Sequence, residues 1–234
     1  RCLKWKEAYA DYGLHCGSQE FRWVGKAKTQ EGEHHNNNLK AEMCMHFYEQ
    51  FDENYCVQRN FNSRAKTQWC YVSAECNELN GGGAVPKTAA SWKVCNATQD
   101  RMLQDQTPDR LYQIAQWTHM DPAYLMKMAY PVWAEPTKTK MLHWPGVQAA
   151  LGILKPRNGN LTEKVQGLEE IQALDEPWVL DSLDSRPPYG LVWGDKIWEV
   201  KYTPWFWTQS DNFAEVYNDK QHMVTDYTCL KGCE

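Results

Sequence analysis

Two stretches in the first 50 residues have the apolar spacing of short helices. Residues 5–12 place apolar side chains at positions i, i+3, i+4 and i+7, and Gly13 then supplies a C-terminal stop. A second helix is predicted from Asn38, which caps its first turn, to Gln50. The residues expected on the inner faces of these helices are Trp5, Ala8, Tyr9, Tyr12, Leu39, Met43, His46 and Phe47. The spacing therefore predicts a mainly helical N-terminal module.

Two further helix starts follow this module. Thr107-Pro108 and Asp121-Pro122 each place a capping side chain before a proline at the first helical position, and Pro131 ends the second helix. The expected inner faces consist of Leu111, Ile114, Ala115, Thr118, Tyr124, Leu125 and Met128. We predict a compact helical hairpin here, followed by a proline-rich connector over residues 131–160.

The C-terminal part begins with a helical pattern and then changes to a period of two. Thr162 caps a predicted helix whose inner face is Val165, Leu168, Ile171 and Leu174. Beyond Pro188, apolar residues alternate on both sides of Gly194-Asp195, which has the composition of a two-residue turn of type I′ or II′. The alternating residues are Tyr189, Leu191, Trp193, Trp198, Val200 and Tyr202. This pattern predicts a Trp-rich antiparallel β-hairpin, which residues 203–209 extend or cover.

Together these patterns predict an α+β protein. Its parts are a disulfide-stapled, mainly helical module at residues 1–98, and a region at 99–234 that contains the helical hairpin, the connector and the Trp-rich antiparallel sheet. The 42% hydrophobic content of the 234 residues is enough to form a buried core.

Cysteine is concentrated in the N-terminal module. Cys2, Cys16, Cys44, Cys56, Cys70, Cys76 and Cys95 lie in the first 100 residues, and only Cys229 and Cys233 lie beyond them. No CxxC or HxxxH spacing accompanies them, so the pattern favours disulfides in an oxidising compartment over a metal site. Because the nine cysteines are an odd number, at least one is free or bonded to another chain. We expect a Cys2–Cys95 disulfide to close the module, whereas Cys229 and Cys233 pair locally or one of them ties the C-terminus to the module.

Charge and aromatic content restrict the classes of partner. The net charge is −5, and all of it arises after residue 100, where 13 basic residues stand against 18 acidic ones. This argues against nucleic acid, which favours a concentrated basic surface.

The chain has 12 tryptophans, and an aromatic run lies near its C-terminal end: Trp193, Trp198, Trp205, Phe206 and Trp207. Part of this run has to fill a core, and an exposed part would form a partner or ligand surface.

Sequence motifs of catalysis are absent. The chain contains no GxSxG, HExxH or P-loop pattern, and the adjacent His34 and His35 lie in a polar loop typical of solvated residues. We therefore predict no enzyme activity, no cofactor and no metal.

Asn96-Ala97-Thr98 and Asn160-Leu161-Thr162 are glycosylation sequons, so Asn96 and Asn160 are possible glycan acceptors in a secreted protein.

The chain starts at Arg1 rather than Met, and it has no apolar run long enough to span a membrane. We interpret this start as the result of processing, in which a targeting segment has been removed.

Several stretches resemble a cysteine-rich module of dinoflagellate algal proteins. They are CLKWKEAYADYGLHCGSQEF at 2–21, CMHFYEQFDENYCVQRNF at 44–61, WCYVSAECNELNGG at 69–82, SWKVC at 91–95 and the segment at 100–131. The resemblance covers roughly residues 1–130 and brings no catalytic motif. WCYVSAEC is also similar to the core of kringle and fibronectin type II modules, and LYQIAQWTHMDPAYLMKMAYP is similar to the helices of a LysM module.

The resemblance and the cysteines together suggest a function. We expect a non-enzymatic accessory or structural subunit that docks on a larger assembly. The specific expectation is an extrinsic subunit in the thylakoid lumen, peripheral to a dinoflagellate photosystem–antenna supercomplex. The alternative, from another class, is a secreted carbohydrate-binding protein of the cell covering, whose partner is a glycan. An unrecognised secreted hydrolase is the third possibility.

Overall fold

The computed structural model describes residues 1–23, 37, 40–60, 63–133, 168–180, 189–202 and 225–233. The chain divides into two compact units. The first contains Arg1–Phe61 and Ala65–Tyr130, and the second contains Asn62–Arg64 and Pro131–Glu234. The first unit therefore includes the helical hairpin as well as the cysteine-rich segment.

The described elements comprise helices and strands in both units. The α-helices are α1 (Trp5–Asp11), α2 (Pro108–Thr118) and α3 (Pro122–Ala129), with a π-helical turn at Cys44–Tyr48 and a 3-10 turn at Leu103–Asp105. The strands are β1 (Val57–Gln58), β2 (Gln68–Ser73), β3 (Gly83–Ala84), β4 (Ala90–Val94), β5 (Val132–Trp133), β6 (Trp178–Leu180), β7 (Tyr189–Trp193), β8 (Lys196–Tyr202) and β9 (Thr225–Lys231).

The prediction of a mainly helical N-terminal module is wrong, because this module is organised around a four-stranded antiparallel sheet of order β1-β2-β4-β3. The strands are short, and β2 and β4 are buried along nearly their whole length. A strand buried on both faces lacks the apolar–polar alternation of a half-exposed strand, so its sequence does not display the period of two.

The helices predicted in the first unit are confirmed. α1 buries Trp5 and Ala8, and Gly13 follows it at a φ of +70°. Thr107 caps α2 by accepting a hydrogen bond from the N–H of Arg110 at 3.2 Å, and Asp121 caps α3 by accepting from the N–H of Ala123 at 2.8 Å. Residues 40–48 are helical and bury Met43, His46 and Phe47, whereas Asn38 and Leu39 lie outside the described residues. Residue 37 is also helical, so the predicted bounds of this helix, Asn38 and Gln50, are not confirmed.

Trp5 lies at the centre of an aromatic core in the first unit. Its ring contacts the rings of Tyr48, Trp69 and Tyr71 at centroid distances of 5.0, 5.1 and 5.5 Å. Its indole N–H donates to the carbonyl oxygen of Tyr55 at 2.9 Å, so this buried polar group is satisfied. The core joins α1 and the π-helical turn to strand β2.

The second unit contains a five-stranded sheet of order β5-β6-β7-β8-β9, in which only the β5–β6 pair is parallel. The predicted hairpin is confirmed as β7 and β8, with Gly194 at a φ of +56° in the turn. Leu168 and Ile171 pack on this sheet as predicted, but the inward position predicted for Leu174 is wrong. Leu174 is 47% exposed because the helical residues end at 172. Thr162, Val165 and the connector after residue 133 lie outside the described residues.

Candidate binding site

Disulfides brace the first unit at three places. They join Cys2 to Cys70, Cys16 to Cys44 and Cys56 to Cys95, and a fourth disulfide joins Cys229 to Cys233 in the second unit. Cys76 forms no disulfide within the chain, in agreement with the prediction that at least one of the nine is free or bonded to another chain. The predicted Cys2–Cys95 disulfide is wrong. Cys2 is joined instead to strand β2, and Cys95 to the residue that precedes strand β1.

Two of these disulfides lie against one another beneath the sheet. The Sγ atoms of Cys2 and Cys56 are 3.5 Å apart, and all four sulfurs of the two disulfides lie within 4.8 Å of one another. Val72 and Met102 complete this buried cluster. Cys70 and Val72 alternate along β2, so the cluster covers one face of that strand.

The opposite face of β2 is aromatic. Trp69 and Tyr71 alternate with Cys70, and Trp92 on β4 lies directly across from Tyr71. Trp23 adds a further ring, at centroid distances of 5.5 Å from Trp69 and 5.2 Å from Trp92. Both contacts have the edge-to-face geometry that aromatic pairs prefer.

Two arginines stack on this aromatic face. The guanidinium carbon of Arg22 lies 5.3 Å from the ring centroid of Trp92, and that of Arg59 lies 4.5 Å from Trp23. These distances are in the range of cation–π attraction. Arg22 is exposed, Trp23 and Arg59 are half-buried, and Trp92 is buried beneath them at 5% exposure. We name the set Arg22, Trp23, Arg59 and Trp92 the Trp–Arg surface.

A buried carboxylate holds the segment that carries Arg22 and Trp23. Glu20 is 2% exposed, and its two oxygens accept four hydrogen bonds. The donors are the hydroxyls of Tyr9 at 2.6 Å and Tyr71 at 2.9 Å, and the backbone N–H groups of Gly17 at 2.7 Å and Gln19 at 3.0 Å. The Cys16–Cys44 disulfide anchors the same segment. The segment that carries Arg22 and Trp23 is therefore held in place by hydrogen bonds and a disulfide.

Exchanging the Glu20 carboxylate for an amide tests this support. In Glu20→Gln the single oxygen can serve the two backbone donors, and the NH₂ group then has to donate to the tyrosine hydroxyls. We expect the free energy of unfolding of the first unit to fall by about 1–3 kcal/mol, because charge-assisted hydrogen bonds are replaced by weaker ones. Chemical denaturation measures this loss. The exposed Glu75→Gln serves as control, and equal stability of the two variants would contradict the supporting role.

The predicted aromatic partner surface lies in the second unit. Trp198 is buried at 3% exposure and stacks on Tyr227 with a centroid distance of 6.4 Å. Trp193 is half-buried at the end of β7. Trp205, Phe206 and Trp207 lie outside the described residues. The described part of this run therefore places one tryptophan in the core and one at its margin.

Of the two sequons, Asn96 is exposed and Asn160 lies outside the described residues, as do His34 and His35. The side-chain oxygen of Asn96 accepts hydrogen bonds from the N–H and the hydroxyl of Thr98, at 3.0 and 2.9 Å.

In the described residues, the groups spaced closely enough to hold a metal are the four clustered cysteines and the set Cys16, Cys44 and Glu49. The cysteines in both sets are disulfide-bonded.

The Trp–Arg surface was not predicted from the sequence. Its residues are far apart along the chain, and none belongs to a motif. One signal was present, since WCY in β2 places aromatic residues at alternate positions, as a strand with one aromatic face does. The arginines add no sequence signal, because only the folded sheet brings Arg22 and Arg59 to the same rings.

Comparison of the chain with protein-family models, with curated proteins and with solved structures found no match. No activity therefore passes to this chain from a relative.

The disulfides fit an oxidising or secreted compartment. Among the described residues, no helix has both the length and the apolar character needed to cross a bilayer.

Proposed function

We propose that this protein is a non-enzymatic accessory subunit that docks on a larger protein assembly in an oxidising compartment. The observation that carries the proposal is the Trp–Arg surface. Tryptophan and arginine are the residue types most enriched in the energetic centres of protein interfaces. Three disulfides and the Glu20 network fix this surface before binding, so little conformational freedom remains to be lost on association.

In its specific form, the proposed assembly is a dinoflagellate photosystem with its antenna, and the compartment is the thylakoid lumen. The resemblance of residues 1–130 to an algal cysteine-rich module supports the lineage. The disulfides require oxidising conditions, which agrees with a lumenal position. The net charge of −5 keeps such a subunit soluble between encounters.

Fractionation of dinoflagellate cells tests this proposal. Thylakoids are solubilised in mild detergent, separated on a sucrose gradient and probed with an antibody against the chain. We expect the protein to migrate with the chlorophyll–protein complexes, to be protected from protease in sealed thylakoids, and to leave the membranes in a high-salt wash. Recovery in the cell covering, with a glycan on Asn96, would contradict the proposal and favour the carbohydrate-binding alternative.

A further inference from the structure

The two arginines of the Trp–Arg surface differ from the other stacked arginines of the first unit. Arg101 stacks on Tyr55 and forms an ion pair with Glu53 at 3.3 Å, and Arg110 stacks on Trp117 and donates to Gln113 at 3.2 Å. Arg59 has neither an ion pair nor a side-chain hydrogen bond within the described residues. Arg22 makes one long contact of 3.5 Å, to the side-chain oxygen of Gln19.

The Nε–H group of Arg59 is an unpaired buried donor. Its nitrogen is shielded from solvent, and no acceptor lies within hydrogen-bonding distance among the described residues. A donor buried in this way usually has a partner, since leaving it unpaired costs the free energy of removing it from water with no hydrogen bond in return. The backbone of Arg59 is fixed at the sheet edge, where its N–H donates to the carbonyl oxygen of Thr67 at 2.9 Å. The backbone position of Arg59 therefore holds its Nε–H group at a place where the described residues offer it no acceptor.

Stacking prepares both guanidinium groups to bind an oxyanion. Arg59 stacks on Trp23, and Arg22 stacks on Trp92. The two tryptophan rings contact each other, so the two guanidinium groups lie on the same aromatic cluster. A ring contact occupies the flat face of a guanidinium and leaves the N–H groups in its plane available. A planar carboxylate accepts two such N–H groups side by side.

We propose that Arg22 and Arg59 bind carboxylate side chains of an acidic protein segment, with Trp23 as the apolar contact of the same interface. This inference rests on the proposed docking function and names the chemistry of the partner. Two cations beside one partly exposed ring suit a protein segment with a few carboxylates better than a polymer of closely spaced negative charges, which proteins bind with many basic residues. The half-buried Trp23 also supplies the aromatic anchor typical of protein interfaces.

Titration of the isolated chain tests the chemistry directly. The probe is the peptide acetyl-Glu-Glu-Leu-Glu-Glu-amide, its control is the analogue with glutamine at every glutamate, and the readout is the NMR signal of each arginine Nε–H. Arg22→Lys and Arg59→Lys assign the two signals. We expect the acidic peptide alone to shift the signals of Arg22 and Arg59 saturably, and to leave those of Arg101 and Arg110 in place. Equal shifts of all four, no shift of Arg59, or a stronger response to inorganic phosphate would overturn the proposal.

Rebinding to salt-washed photosystem particles separates this inference from the proposed function. We expect Arg59→Gln and Arg22→Gln each to weaken rebinding by about tenfold, the loss of one hydrogen bond to a charged group. Arg110→Gln removes the same charge from another Arg–Trp stack and should rebind like the unmodified chain. If the unmodified chain does not rebind, the proposed function fails. If it rebinds and all three variants match it, only the carboxylate inference fails.

Discussion

Replacing Cys2 and Cys70 together by alanine is expected to lower the free energy of unfolding of the first unit by about 4 kcal/mol. This disulfide closes a sequence separation of 68 residues, and the entropy that a cross-link removes from the unfolded chain grows with the length of the closed loop. The lost sulfurs also contact the Cys56–Cys95 disulfide, so the substitution opens a gap in a buried cluster.

The Cys229–Cys233 disulfide supplies the matched control. It closes a separation of only four residues, and Cys229 is exposed on β9. Its double alanine variant should lose about 2 kcal/mol, and only in the second unit. Hydrogen exchange under non-reducing conditions distinguishes the units, because the amides of β2 report the first and those of β8 report the second. A larger loss from the short loop than from the long one would refute the loop-length argument.

Local signals in the sequence were sufficient for the helices and the C-terminal hairpin. Thr107 and Asp121 cap α2 and α3 as predicted, since a cap depends only on residues within one turn. Gly194-Asp195 likewise determines its turn from two residues. The signals for these features are local in the sequence, and this explains why they were predictable.

The N-terminal sheet and its disulfides depend on distant pairings, which the sequence does not display. Cys70 pairs with Cys2 because β2 passes beside the start of the chain, where the N–H of Leu3 donates to the carbonyl oxygen of Tyr71 at 2.8 Å. Cysteine positions alone do not specify which of many connectivities forms. The same limit applies to the Trp–Arg surface, since Arg59 reaches Trp23 only after the sheet has formed.

Four tyrosines with raised pKa values should make the first unit sensitive to alkali. Burial, with the Glu20 carboxylate as the next cause, raises the pKa of Tyr9, Tyr48 and Tyr71 well above the usual value for tyrosine. Burial, assisted by the charge of Asp109, does the same to the pKa of Tyr130. Each phenol therefore keeps its proton in the folded state at a pH where the unfolded chain has already lost it.

The direction in which pH changes the free energy of unfolding follows from this difference in tyrosine pKa between the folded and unfolded states. Below a pH of about 10 the phenols are neutral in both states, so the stabilisation they provide is fully present. As the pH rises above about 10, only the unfolded chain loses protons, and each tyrosine lowers the free energy of unfolding by about 1.4 kcal/mol per pH unit. Four such groups acting together give a loss of about 5–6 kcal/mol per pH unit, which unfolds a domain of ordinary stability within a few units.

Alkaline titration in a Cys76→Ser background measures this, because removing the free thiol prevents disulfide exchange at high pH. We expect loss of the near-ultraviolet circular dichroism to coincide with a cooperative rise in phenolate absorbance. Tyr48→Phe removes one of the four ionising groups and should reduce the pH slope of the unfolding free energy by about a quarter. A gradual rise in phenolate absorbance while the dichroism persists would mean that the buried phenols ionise inside the folded unit. In that event their burial would not be the source of the alkaline sensitivity.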